Sequence, residues 1–181
     1  MTALRDCRVE LIGRVEAMCF IVPNEKLGTM GNSVLFFGLR APSDRLLSVV
    51  GFGHGAHAAG SVADIVLERG WTSPQAPRNS GSYLIARALR YGRRFLGWRV
   101  VRAYSDERFG AAGILYKAAG FRLAPPSKHS NKFRWGLVEG DRVFSDRTLY
   151  RKHGSLGAAR AAGAQLVQLP LRMAWEWRAS P

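Results

Sequence analysis

Residues 79–91 constrain the fold more than any other segment, because their apolar side chains repeat with the period of a helix. One face carries apolar residues and the other carries arginines: Leu84, Ile85, Ala88, Leu89 and Tyr91 against Arg87, Arg90 and Arg94. A short polar turn precedes the segment, and Asn79 or Ser80 is suited to cap it. A helix with one apolar face must bury that face against another layer of structure.

The segments around this helix predict that layer to be a sheet. Before the main helix, the chain order is a strand at RVELI, a helix that stops around Pro23, a hairpin that turns at residues 41–44, and a strand at ADIVLERGW. After the main helix come a strand at WRVVRAYSD and a short helix at AAGILYKAAGF that stops at Gly120. We therefore predict an α/β (α+β) fold with a mixed, mostly antiparallel central sheet flanked by helices.

The last third of the chain has a weaker pattern. We expect a hairpin around Glu139–Gly140–Asp141, a small helix at SLGAARAAGA and a final strand at QLVQLPLRMAWEWR that is broken at Pro170. The length of 181 residues suits one sizeable core. We predict a single domain over residues 1–181, with residues 122–181 as its basic C-terminal portion.

The charge indicates a polyanionic partner. Lys and Arg number 27 against 13 Asp and Glu, a formal net charge of +14, and residues 69–122 hold eleven of the basic residues against Asp106 and Glu107. Such a field attracts nucleic acids and anionic cofactors, although a solvated basic surface is an equal alternative.

No apolar run is long enough for a membrane span, and two cysteines fit a reducing compartment, so we expect a cytoplasmic protein.

The turn that opens the main helix is a candidate anion site. The turn runs through five residues: Arg78, Asn79, Ser80, Gly81 and Ser82. The first N–H groups of a helix lack helical partners and share the positive end of the dipole, which suits a pyrophosphate. Gly81 would let the phosphate approach the backbone, and Arg78 adds charge. A plain helix cap is the structural alternative.

A second group of candidates follows the strand that ends in AYSD. Asp106 ends that strand, Ser105 precedes it, and Tyr116 lies ten residues later on the next helix. The ends of neighbouring elements are where α/β sheets bind ligands. A tyrosine hydroxyl is suited to protonate a leaving thiolate, and a carboxylate to take a proton from an attacking amine. A core tyrosine and a loop-capping aspartate are the alternative.

These blocks resemble the GNAT superfamily of acyltransferases, whose pyrophosphate motif opens a helix in the same way. The order SVVGFG, VLERGW, APRNSGSYLIARAL and AYSDERFGAAGILYKAAGF is similar to the Mom family of bacteriophage DNA-modification proteins over about residues 48–121, with a weaker echo in DRTLYRKHGS. The resemblance implies conversion of adenine N6 in duplex DNA to a carbamoylmethyl adduct that protects phage DNA from restriction. It implies residues 78–82 as the site for acetyl-CoA or a related acyl-CoA, and Asp106 with Tyr116 as the catalytic pair.

Such a reaction needs double-stranded DNA as a partner, and the enzyme must extract the base. The expected phosphate contacts are Arg87, Arg90, Arg93, Arg94, Lys128, Lys132 and Arg134. The candidates for stacking on the base are Trp71, Tyr104 and Phe109. His54 and His57 are spaced as two metal ligands, but they have no acidic or cysteine neighbours and we predict no metal site.

Other functions remain compatible with the sequence. A GNAT enzyme could acetylate a small amine, a protein amine or an aminated base. An inactive relative could keep the fold and the charge and bind DNA alone. Neither the acyl donor nor the DNA target sequence follows from the residues.

Overall fold

The structure, a computed structural model, describes residues 3–25, 28–54, 64–106, 113–125, 134–170 and 172–180. The chain forms two compact units. The larger comprises Met1–Ser105, Ala111–Ala124 and Met173–Pro181, and the smaller comprises Asp106–Gly110 and Pro125–Arg172. That all 181 residues act as one domain stays a prediction. Within the described ranges, no helix combines the length and the apolar character needed to cross a membrane.

The larger unit is built on a seven-stranded sheet. Its strands are β1 (Arg8–Ile12), β2 (Ser33–Arg40), β3 (Leu46–His54), β4 (Asp64–Thr72), β5 (Val100–Ser105), β6 (Arg122–Leu123) and β10 (Met173–Arg178), in the spatial order β1-β2-β3-β4-β5-β10-β6. Its helices are α1 (Arg14–Ile21), α2 (Ser80–Phe95) and α3 (Ile114–Ala118), after a short 3₁₀ turn at Leu4–Asp6. Neighbouring strands are antiparallel except β4 and β5, which are parallel.

Helix α2 covers one face of the sheet, as its periodicity predicts. Leu84, Ile85, Ala88 and Leu89 are buried in the main core together with residues from β2, β3, β4 and β5. A second, smaller cluster joins Ala17 and Ile21 of α1 to Phe36 and Val49. The residues of α2 and α1 thus fall in separate clusters, so the sheet has apolar contacts on both sides.

The smaller unit has its own sheet and core. Strands β7 (Arg134–Glu139), β8 (Arg142–Phe144) and β9 (Leu166–Leu169) form a sheet in the order β8-β7-β9, accompanied by α4 (Asp146–His153) and α5 (Leu156–Ala161). Leu137, Leu149 and Ala159 form its buried cluster. The turn between β7 and β8 lies at Gly140–Asp141, and Gly140 has a φ of 55°, which favours glycine.

The predicted fold class is confirmed, but two local expectations were wrong and one helix was missed. The stretch broken at Pro170 was expected to be one strand, whereas β9 pairs with β7 and β10 pairs with β5 and β6. Helix α4 was not predicted because DRTLYRKH is almost entirely polar and buries Leu149 alone among its described side chains. Neither predicted cap of α2 forms a side-chain cap: Asn79 occupies the cap position with a left-handed φ of 67°.

The close approach of α2 to Trp98 gives a test of this packing. A Cβ placed on Gly92 would lie 2.0 Å from Cε3 of the buried Trp98 ring. Alanine is otherwise favoured over glycine inside a helix. We nevertheless expect Gly92→Ala to lower the free energy of unfolding by about 1–3 kcal/mol, because the ring must move. Urea denaturation measures the change.

Gly13→Ala is the control, since Gly13 has a φ of −70° and a Cβ there meets no atom within 4 Å. It should change the free energy by less than about 0.5 kcal/mol. Unchanged or increased stability in Gly92→Ala would contradict the described packing.

Candidate functional site

The site begins where β4 and β5 separate. The two strands pair from Asp64↔Val100 to Leu67↔Ala103, yet β4 continues to Thr72 and β5 to Ser105. Among the residues that the structure describes, the last part of β4 is therefore bonded to β3 alone, and its other edge faces a cavity of about 280 Å³. The cavity is lined by Val50, Leu67, Gly70, Trp71, Thr72, Gly81, Ile85, Leu115 and Tyr116.

The beginning of α2 presents free backbone donors beside this cavity. Ser80 N–H bonds to the carbonyl of Pro77, and the carbonyl of Asn79 accepts from Tyr83 N–H. Among the described residues, neither Gly81 N–H nor Ser82 N–H has an acceptor. The hydroxyl of Ser82 donates to the Asn79 carbonyl at 3.1 Å, so it does not occupy these donors. The local backbone therefore suits an anion, with Arg78 exposed next to it.

Gly81 is required here by close approach. A Cβ at this position would lie 2.9 Å from Leu115 Cδ1 and 2.9 Å from Thr72 Oγ1. Thr72 is itself held by a hydrogen bond of 2.7 Å to Ser48. The absence of a side chain lets the first turn of α2 lie against the end of β4 and against α3. It also keeps the cavity open.

Tyr116 is the titratable group of the cavity. Its ring packs against Phe121 and Trp175, with centroid distances of 5.7 Å and 6.2 Å, and its hydroxyl donates a long hydrogen bond of 3.4 Å to the carbonyl of Tyr104. Burial raises the pKa of Tyr116 above its usual value. The phenol is therefore neutral at physiological pH and holds a proton that it can donate.

Two charged residues act on Tyr116 with opposite signs. Arg69 lowers the pKa of Tyr116 and Glu25 raises it, both less than burial does. Arg69 is held in place by hydrogen bonds from its guanidinium to the carbonyl and hydroxyl of Thr29, at 3.0 Å and 3.2 Å. Neither residue was assigned a role from the sequence, although an arginine inside the apolar strand ADIVLERGW is a usable signal for Arg69.

Ser105 is placed as a structural group. It is buried, and its hydroxyl accepts a hydrogen bond of 2.9 Å from Nε1 of Trp175. That bond fixes the indole against which Tyr116 packs. A Cβ on Gly113 would meet the same indole at 2.1 Å, so the turn before α3 also depends on the position of Trp175. A chemical role for Ser105 stays a prediction.

Asp106 belongs to the smaller unit and lies in a cluster of ion pairs. Its carboxylate is 3.5 Å from Arg134 and 3.8 Å from Arg172, and Arg134 is also 3.0 Å from Asp146. The side chains of Asp106 and Arg134 are each 11% exposed. Tyr116 belongs to the larger unit, so the pairing of Asp106 with Tyr116 stays a prediction.

The expected DNA contacts fall into three groups. Arg87, Arg90, Arg93 and Arg94 are exposed on α2. Arg134 is committed to two carboxylates, which leaves less of its guanidinium for a phosphate. Lys128 and Lys132 lie outside the described residues, as do Phe109 and His57 among the other candidates. No group of three or more potential metal ligands occurs within the described ranges.

The raised pKa of Tyr116 predicts a pH dependence of stability. In the unfolded chain the phenol ionises near its usual pKa of about 10, while in the folded chain it keeps its proton to higher pH. Between these values the folded state binds more protons, so the free energy of unfolding falls as pH rises. Tyr116→Phe should reduce that fall, measured by urea denaturation at about pH 9 and about pH 11.

Tyr150→Phe serves as the control because Tyr150 is exposed on α4. It should leave the pH dependence as in the wild type. If Tyr116→Phe behaves in the same way as this control, the phenol is not desolvated in the folded protein.

Comparisons with known proteins agree on the fold. A spermidine N-acetyltransferase from Vibrio cholerae, in complex with CoA and spermine, is 12% identical with a TM-score of 0.57, and the match covers 96% of each chain. A GNAT family acetyltransferase from Elizabethkingia anophelis with acetyl-CoA bound is 7% identical with a TM-score of 0.52, covering 96% of this chain and 99% of that one. The IAA acetyltransferase from Bacillus cereus ATCC 14579 is 11% identical with a TM-score of 0.52, over 96% and 99%.

No curated protein sequence matches the chain significantly. A family profile does, over residues 6–167, which is most of its length. The profile spans both the cavity between β4 and β5 and most of the smaller unit. With a GNAT acetyltransferase fold and this match, the chain belongs to the Mom protein family.

Proposed function

We propose that this protein is a DNA-modifying transferase that acts on the exocyclic N6 amine of adenine in double-stranded DNA and uses an acyl-CoA. The final product is a carbamoylmethyl adduct that protects the DNA from restriction. The observation that carries the proposal is the cavity where β4 leaves β5, with the start of α2 on one side and the neutral Tyr116 on another. Membership in the Mom family supports DNA as the substrate.

The start of α2 fits the pyrophosphate of an acyl-CoA. Gly81 N–H and Ser82 N–H are available to it, Gly81 leaves room for its approach, and Arg78 supplies a positive charge. When bound, the acyl-CoA supplies the acyl group as a thioester. The open edge of β4 and the apolar lining of the cavity would receive the extended arm.

We assign to Tyr116 the role of proton donor in the transfer step. Attack of the amine on the thioester carbon forms the C–N bond, and the C–S bond then breaks with its electron pair on sulfur. The phenol of Tyr116 gives its proton to that thiolate, and the proton that the acylated nitrogen loses returns to the phenolate and restores the phenol. Arg69, which favours the phenolate of Tyr116, compensates the charge left behind.

We assign to Asp106 the role of orienting the amine. Its carboxylate is already paired with Arg134 and Arg172, and ion pairing favours the charged form. A carboxylate held in this way accepts a hydrogen bond from an amine more readily than it removes a proton. Acyl transfer alone yields an amide, so the terminal carboxamide requires a further step or a different donor.

An isosteric change tests the acyl-CoA site. Asn79→Asp adds one negative charge at the cap position of α2 without adding volume, and aspartate tolerates the left-handed backbone there. The helix dipole should favour the new charge, so the melting temperature should stay the same or rise. The same charge should repel a pyrophosphate and weaken CoA binding about fivefold. Thermal-shift titration with CoA measures both quantities.

Gln168→Glu, at an exposed position on β9, is the matched control. It adds the same charge to a strand of the smaller unit and should leave CoA binding unchanged. Equal CoA affinity in Asn79→Asp and the wild type would remove the start of α2 from the cofactor site.

The reaction is tested by mass spectrometry of nucleosides from host DNA after expression in bacteria. The wild type and Tyr150→Phe should yield a modified deoxyadenosine. Tyr116→Phe should yield none, while its binding to duplex DNA stays within about twofold of the wild type, since one hydroxyl is removed from a cavity rather than from the basic surface.

The outcomes separate the alternatives. Full modification by Tyr116→Phe would remove Tyr116 from the mechanism. Unmodified DNA with the wild type, together with acetylation of added small amines, would assign the cavity to an amine acetyltransferase. Absence of both activities, with no CoA-induced thermal shift, would leave a DNA-binding relative.

A further inference from the structure

A second groove lies beside the first strand of the sheet, apart from the cavity at Tyr116. Its volume is about 340 Å³, within the range of about 300–1,000 Å³ typical of ligand pockets. It shares no lining residue with the cavity at Tyr116. Its lining comes from β1 and the residue before it, from β2 and from α2: Cys7, Arg8, Val9, Glu10, Leu11, Phe37, Tyr83, Arg87 and Tyr91.

The groove follows the open edge of β1. Within the described part of the chain, this strand ends the seven-stranded sheet and pairs with β2 alone. Five consecutive residues, 7–11, line the groove, and alternate residues of a strand point to opposite faces. Consecutive residues of both faces around one groove fit a groove that runs along the strand edge. A chain-like ligand could therefore lie along it.

On the helix side, the groove is bounded by side chains spaced four residues apart on α2. Tyr83, Arg87 and Tyr91 line the groove, Phe95 continues the same spacing beyond it, and we call these four residues the α2 ladder. The guanidinium of Arg87 lies 5.2 Å from the centre of the Tyr83 ring and donates hydrogen bonds of 3.1 Å and 2.9 Å to its hydroxyl. The rings of Tyr91 and Phe95 are 4.8 Å apart. The ladder thus places three aromatic rings and one guanidinium in a row along the helix, with the Tyr91 and Phe95 rings tilted by 47°.

The charge around the ladder is positive. Helix α2 contains four arginines and no acidic residue. Arg94 lies over the Phe95 ring at 5.2 Å, and Phe95 is 61% exposed. The acid of the groove, Glu10, accepts hydrogen bonds from Arg40 and Arg8, which lower the pKa of Glu10 and offset its charge. Aromatic side chains that lie between arginines suit a chain-like ligand that carries both planar rings and anionic groups.

We propose that the α2 ladder and the groove beside β1 bind single-stranded DNA, with unpaired bases stacked on the ladder and phosphates on the arginines of α2. Aromatic rings flanked by arginines are the usual chemistry of single-strand binding, whereas duplex DNA presents no free base faces. The choice of DNA rests on the proposed function. The site would hold nucleotides that leave the duplex when a base is extracted.

The test is binding of a fluorescein-labelled oligothymidine of about 15 nucleotides, a length suited to such a site, followed by fluorescence anisotropy. Phe95→Ala is the principal variant, because Phe95 is exposed and lies outside the core clusters. It should weaken oligothymidine binding about tenfold, the loss expected for one stacked base. A duplex should bind with less than a twofold change.

One control and one further test variant accompany Phe95→Ala. Tyr150→Ala removes an exposed aromatic ring that does not line the groove, and it should leave oligothymidine binding unchanged. Arg90→Gln removes an exposed charge of α2 outside the ladder. It should reduce the slope of log affinity against log salt by about 0.7, the value for one single-strand phosphate contact. Phe95→Ala should leave that slope as it is.

The proposal is overturned if Phe95→Ala binds oligothymidine within twofold of the wild type, or if its binding to duplex falls equally. The assay contains no acyl-CoA and scores no modification. Failure of the adenine reaction would therefore leave this result standing, and loss of single-strand binding would leave the acyl-CoA site intact.

Discussion

The early separation of β4 from β5 is the constraint on which the rest of the site depends. Parallel strands normally satisfy each other's backbone groups along their shared length, yet here pairing stops at Leu67 and Ala103. The end of β4 is left with an open edge, and the space beside it becomes the cavity. Gly81 lets the start of α2 lie against that edge, which brings free N–H donors and an open strand together.

Tyr116 gains its chemistry from the packing behind it. Trp175 on β10 supports the Tyr116 ring, and a buried hydrogen bond to Ser105 on β5 fixes Trp175. Burial keeps the phenol protonated, while Arg69 and Glu25 adjust the balance in opposite directions. Trp175, a residue far along the chain, therefore contributes to the burial that keeps Tyr116 protonated.

The excess positive charge is used in two physically different ways. In the smaller unit, Arg134 and Arg172 are paired with Asp106 and Asp146, so these carboxylates compensate part of the arginine charge. On α2 the arginines are exposed, and some lie over aromatic rings. Exposed arginines on one helix face are the better candidates for a nucleic acid, because little desolvation opposes a phosphate contact.

The sequence alone determined the elements whose signals are local. The period of 3.6 in α2, the short apolar runs of β1 to β5 and the polar turn at residues 78–82 follow from side-chain order along a few turns or strands. They sufficed for the fold class and for naming residues 78–82 and Tyr116 as candidates for a site. The resemblance to the Mom family rested on the same blocks, and the family match confirmed it.

Tertiary structure alone decided what depends on contacts between distant segments. No local pattern shows that β9 and β10 join different sheets, that Ser105 supports Trp175, or that Arg134 is paired with Asp106. Helix α4 was not predicted because it contributes one buried leucine, Leu149, to the core of the smaller unit and has no apolar stripe along one face. The groove beside β1 also depends on two segments, residues 7–11 and α2, that are far apart in the chain. Local sequence specifies elements, and packing specifies which side chains meet.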